Sequence, residues 1–203
     1  MPALQGLFTS IDSLVIASVV IVSIIAFASS RVLNALVLIP YRVKARREVY
    51  RLLTAGWVHA DVAHLLFNML TLHFFAREVA VGLGTPRFLV LYVSAVVVSF
   101  IPTTLRHMKN GKYVSLGASG AVSAVMFSAI LLRPTLKLSL MFLPLPIPGL
   151  LYAMGYLAYS AWRSYRPTNN INHDAHFAGA IYGCLLTFGF APERVQSAFA
   201  QLF

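Results

Sequence analysis

The chain has 203 residues, of which 59% are hydrophobic and only 11% charged, and its mean hydropathy is +0.76. That much apolar surface exceeds what one soluble core can bury, so the composition excludes a soluble domain and indicates a membrane protein. The net charge of +10, from 16 Lys and Arg against 6 Asp and Glu, would suggest nucleic acid as a partner of a soluble protein. Here the basic residues stand between apolar runs, where membrane lipid headgroups satisfy them, and no soluble basic domain is left to bind nucleic acid. A lone Cys184 excludes an internal disulfide, and no Cys/His spacing suits a metal, so no cofactor is expected.

Apolar runs recur near the roughly 20-residue length that a bilayer requires. The first is Ser13–Ser29; the first ten residues carry no Lys or Arg, so Ala26-Phe27-Ala28 reads as part of a retained helix rather than a cleavage site. Residues 31–59 mix apolar stretches with six basic side chains, which suits a long segment lying in the interface plane. The second span, Val62–Phe75, is interrupted by His64, Asn68 and His73, and the third and fourth are Phe88–Leu105 and Val114–Leu132. In the fifth, Leu138–Trp162, Pro144, Pro146 and Pro148 deny a regular helix to the first third. Ile171–Gly189 is the sixth, and the remaining connections are short, at Ala76–Arg87, Arg106–Tyr113, Arg133–Lys137 and Arg163–Asn170. With no repeat and no low-complexity tract, residues 1–203 form a single domain. The expected fold class is an all-α membrane protein, a six-helix bundle with a long interfacial first loop.

Polar residues inside a membrane are costly and mark function or tight packing. Three clusters stand near the N-terminal ends of spans 2, 4 and 6: HADVAHLLFN with His59, His64 and Asn68; GASG with Ser119; and HDAHFAGAIYG with His173, Asp174 and His176. Alternate helices of an up-down bundle run the same way, so the three clusters open on one side at comparable depth. Ser119, between Gly117 and Gly120, falls in a first helical turn whose unpaired N–H groups suit an oxyanion. Gly179 and Gly183 follow His176 on one helix face and allow another helix to approach closely. If Gly120 meets that face, serine and imidazole come within hydrogen-bond reach. His64 and Asn68 are four apart on one face and supply donors for developing negative charge. Taken singly, each cluster is also explained by packing or by one interhelical hydrogen bond, and His59, His73 and His173 are expected to be structural or interfacial. Asp174 points roughly 200° away from His176 on a helix and cannot easily orient its ring, which favours a serine–histidine pair over a triad.

These pieces, HLLFN, GASG and AHFAG followed by Gly183, resemble the rhomboid intramembrane serine proteases, in the same order and over nearly the whole chain. The resemblance implies that Ser119 is the nucleophile and His176 the general base and acid, with His64, Asn68 and the Ser119 N–H as the oxyanion hole. It implies transmembrane protein helices as substrates, no metal or cofactor, and a cell-membrane location, with Glu78 as a structural acid. The first-loop Trp-Arg pair of many members reads Tyr50-Arg51 here. Ser123 stands where members usually carry an aromatic that stacks on the imidazole, so His176 is expected either to bond Ser123 or to lack a stacking partner, and an aromatic at 123 is expected to be tolerated. An inactive relative that binds membrane clients, or a small channel using the same polar pocket, are the alternatives. The sequence leaves oligomeric state open.

Overall fold

Why the chain makes long helices is plain from its apolar runs, and what they pack against follows from where its small residues lie. The computed structural model describes residues 11–140, 143–165 and 171–202. Most of the connection expected at Arg163–Asn170, with Arg166, lies outside the described residues, as do the first ten residues.

Helix α1 (Ile11–Ala28) leads into three short helices, α2 (Ser30–Leu36), α3 (Pro40–Arg46) and α4 (Arg51–Thr54), and a 3-10 turn at Ala55–Trp57. Then come α5 (Val62–Leu83) and α6 (Thr85–His107), joined through Gly84, whose φ of 84° is a conformation that suits glycine. Helix α7 (Ser119–Leu132) is followed by strands β1 (Lys137–Leu140) and β2 (Leu143–Pro148), then by α8 (Gly149–Tyr165), α9 (His173–Phe190) and α10 (Pro192–Ala200).

Helix α7 is the centre of the bundle. Gly120 through Ile130 are buried without a break, as expected of a helix apolar on every side. Helices α5, α6 and α9 surround it, and Val79, Phe88, Leu91, Tyr92, Ala95, Val125 and Ala129 form the core between them. Its 14 residues rise only about 21 Å, less than the roughly 30 Å of a hydrocarbon layer. The outward faces of the surrounding helices are apolar too: Ile21, Ile24, Phe74, Val81, Val90 and Leu185 are all exposed. A core apolar within and a surface apolar without define an integral membrane protein.

Among the described residues three helices, α1, α5 and α6, are long and apolar enough to cross a membrane, or four if α9 is joined to α10 across their 101° bend. Spans run past the expected ends, α8 to Tyr165 and α9 to Phe190 among them. Helix α5 continues beyond Phe75 to Leu83, where Ala76, Val79 and Leu83 are buried and Glu78 pairs with Arg133 at 2.9 Å, and α6 passes through Pro102 to His107. The fold is not purely helical: Lys137–Leu140 and Leu143–Pro148, expected to lie at the start of span 5, are two antiparallel strands that pair Lys137 with Pro148 and Ser139 with Pro146. Prolines at every second position cannot donate to a helix, yet they are tolerated in a two-stranded edge.

The first connection contains a buried cation. Arg51 is 2% exposed; its guanidinium donates to the carbonyls of Asn34 at 3.0 Å and Val37 at 2.7 Å and to Glu48 at 2.5 Å. The expectation that the basic residues of this segment need only headgroups therefore fails at Arg51, which holds α2 and α4 together from within.

Candidate active site

The stretch entering α7 is clamped before the helix starts. Ser115 and Leu38 exchange backbone bonds of 2.9 and 3.0 Å, the Gly117 N–H donates to the Ala55 carbonyl at 2.8 Å, and the Ala118 N–H donates to Nε2 of His59 at 3.3 Å. The wholly buried His59 is held in turn by Ser23 at 3.0 Å, whose hydroxyl donates to the Trp57 carbonyl at 2.9 Å. Because that serine proton is spent on Trp57, Nδ1 of His59 carries the ring proton and Nε2 is the acceptor. Burial above all, with the nearby His64 ring, pushes the His59 pKa from its ordinary 6.5 down to about 3. It is therefore neutral, as an acceptor must be.

Gly117 is required twice. Its φ of 112° is one that side chains rarely adopt, and a methyl group there would lie 2.6 Å from Cε1 of His64. The imidazole of His64 thus lies against the chain two residues before Ser119. Its helix is capped by Asp61, which accepts the His64 N–H at 2.7 Å. One turn on, Asn68 is 7% exposed and donates one amide hydrogen to the His64 carbonyl at 2.8 Å.

Helix α9 presses its glycine face onto α7. A methyl group on Gly179 would overlap the Gly120 carbonyl and one on Gly183 the Ala124 carbonyl, while one on Gly120 would run into Ser99. At this approach Nε2 of His176 and Oγ of Ser119 are 2.7 Å apart. Both side chains are half-buried. The register of α9 is fixed at its start by Asn172. Its Oδ1 caps the Ala175 N–H at 3.0 Å and accepts from Thr103 at 2.8 Å, and its Nδ2 donates to Ser115 at 2.9 Å. An asparagine just before an apolar helix is a capping signal; its links to α6 and to the approach of α7 belong to tertiary structure.

Asp174 turns away from the imidazole and pairs with Arg106 at 2.8 Å, also accepting from Ser164. Of the remaining histidines, His73 is exposed beside Phe74, and His173 is 5% exposed with its ring edge-on to His176 at 5.8 Å. Ser123 does not bond the imidazole. Its hydroxyl donates to the Ser119 carbonyl at 2.8 Å and lies 2.7 Å from the hydroxyl of Tyr156 on α8. The expectation of a missing aromatic also fails, since the Tyr156 ring stacks on His176 with centroids 6.2 Å apart and planes 22° apart.

The site thus places a hydroxyl within hydrogen-bond distance of an imidazole, at the first turn of a short buried helix of a membrane protein. Residues 46–193 match the family model described as a rhomboid domain, and the chain belongs to the rhomboid family. It is 33% identical over 150 residues to "Putative rhomboid protease YdcA" of Bacillus subtilis, covering 71% of this chain and 68% of that protein. It is 29% identical over 152 residues to "RHOMBOID-like protein 12, mitochondrial" of Arabidopsis thaliana, covering 68% of this chain and 45% of the relative. To the human "Presenilin-associated rhomboid-like protein, mitochondrial" it is 26% identical over 147 residues, 68% of this chain and 37% of the relative. The match therefore spans less than half the length of the two mitochondrial relatives.

Proposed function

We propose that this chain is an intramembrane serine endopeptidase that cuts transmembrane helices of other membrane proteins through Ser119 and His176. The observation that carries the reading is the 2.7 Å contact between Nε2 of His176 and the Ser119 hydroxyl. The Ser119 oxygen attacks the scissile carbonyl carbon while its proton passes to Nε2, and the carbonyl becomes an oxyanion. The Ser119 N–H, the imidazole of His64 and the second amide hydrogen of Asn68 are its donors. Collapse of the intermediate breaks the C–N bond, and His176 returns the proton to the leaving amine. Water then attacks the acyl ester, with His176 as base again, and frees Ser119.

On this reading α1, α5, α6, α7, α8 and α9 are six spans of one domain covering residues 1–203, the segment from α2 to the 3-10 turn lies in the interface, and the membrane is the cell membrane. Shortness of α7 supports it, because a helix of about 21 Å does not fill a hydrocarbon layer of roughly 30 Å, and a gap at its Ser119 end would admit the water that hydrolysis needs. Purified protein treated with a fluorophosphonate probe should label, and Ser119→Ala should not. A folded wild-type chain that refuses the probe would favour the inactive client-binding relative.

A further inference from the structure

A general base must hold its ring in one plane, and here no carboxylate does so, because Asp174 is engaged with Arg106 and Ser164. The face of the His176 ring is instead met by Tyr156, within the offset-stacking range of centroid distances. Tyr156 is itself fixed on several sides. Tyr152 stacks on it at 5.9 Å and Phe127 tilts against it at 5.6 Å. Its hydroxyl lies 2.7 Å from that of Ser123, and since the one Ser123 proton goes to the Ser119 carbonyl at 2.8 Å, Tyr156 is the donor. A directed chain therefore runs from the Tyr156 hydroxyl through Ser123 to the peptide of Ser119, while the same phenol ring covers His176.

We infer that Tyr156 is the positioning residue of the catalytic pair: its ring fixes the plane of His176 and its hydroxyl, through Ser123, ties that ring to the backbone of Ser119. The inference rests on the proposed protease reading and deepens it. It makes α8 part of the active site, although α8 supplies neither nucleophile nor base. Ser123 is the small partner that leaves room for the phenol, so an aromatic at 123 beside an intact Tyr156 competes for one space, contrary to the tolerance expected from sequence.

The test measures fluorophosphonate labelling rate, and kcat and KM on a transmembrane reporter, for the full-length reconstituted protein. Misplacing a catalytic group by about 1 Å costs on the order of 100-fold. Tyr156→Leu, which keeps an apolar side chain of moderate size, should lower kcat and labelling rate roughly 10- to 100-fold with KM little changed. Tyr156→Phe should keep most of the rate, because the stack survives. Adding Ser123→Tyr to Tyr156→Leu should restore activity by supplying a ring from α7 to the same space, whereas Ser123→Tyr alone should lower it. Tyr156→Leu folded and labelled at the wild-type rate would overturn the inference while leaving the protease reading intact, as would a Tyr156→Phe loss as deep as that of Tyr156→Leu. If Tyr156→Leu fails to fold, the Phe variant and Ser123→Tyr decide: equal labelling of Ser123→Tyr and wild type overturns the inference. A wild-type chain that never labels overturns both.

Discussion

Asn68 spends one amide hydrogen on the His64 carbonyl, and the other is the donor that the proposed function uses. Asn68→Ala should lower turnover on the order of 10- to 1000-fold while probe labelling persists, because a single oxyanion donor contributes a few kcal/mol at the transition state. His64→Ala should behave alike, and wild-type cleavage rates in both would remove α5 from the site. His59 makes a different prediction. Its folded pKa of about 3 lies below the ordinary 6.5, so between those values the unfolded chain binds a proton that the folded chain refuses, and stability must fall as pH drops through that window. The thermal midpoint should therefore decline below about pH 6.5 more steeply for wild type than for His59→Gln. Parallel curves would show that His59 does not hold the Ala118 N–H as described. Ser119, His176, His64 and Asn68 were legible as single letters because small and ionisable residues stand out in apolar runs. Tyr156 was not, since an aromatic in a membrane helix is ordinary and only the packing of α8 against α7 and α9 brings it to the imidazole.

Among elements, the contact of α7 with α9 decides whether serine meets histidine. The α9 face is Gly179 and Gly183, the α7 face is Gly120 and Ala124, and backbone approaches backbone closely enough that any Cβ on Gly179 displaces Gly120. Gly179→Val should separate the helices, cost on the order of 1–3 kcal/mol of stability as overpacking does, and abolish probe labelling even where the protein still inserts. Thermal unfolding and labelling of the same preparation check both. The spacing of Gly179 and Gly183 made this face readable beforehand. The strand pair was less so: alternate prolines at 144, 146 and 148 announced a break, but apolar composition placed it inside a span, and pairing with Lys137–Leu140 is a tertiary fact. The end of α5 is similar, for Arg77 and Glu78 interrupt the apolar run, while burial of Ala76, Val79 and Leu83 at helical spacing carries the helix on.

For the whole molecule, charge and family argue opposite orientations. The resemblance to the family implies cytoplasmic termini and an outward site, whereas the loops expected on the site's side carry more basic residues, including Arg31, Arg42, Lys44, Arg46, Arg47, Arg51, Arg106, Lys109, Lys112 and Arg163. Arg51 and Arg163 are buried and bond or pack within the protein, so they do not report on headgroups, and others lie in the interfacial segment, where side chains snorkel. The outward orientation is the one we predict: a cysteine at exposed Asn110 in a Cys184→Ala background should react with an impermeant maleimide added outside intact cells. Labelling only after lysis would reverse the topology, and recovery of the protein in an organellar fraction would move it from the cell membrane. The central claim is that Ser119 and His176 act together on a membrane helix. It is tested most directly by incubating the reconstituted protein with a transmembrane reporter and resolving the products, for wild type, Ser119→Ala and His176→Ala. Two fragments cut within or beside the reporter helix by wild type, and none by either folded variant, is the result expected, because a catalytic pair works as a unit; cleavage that persists in either variant would contradict it.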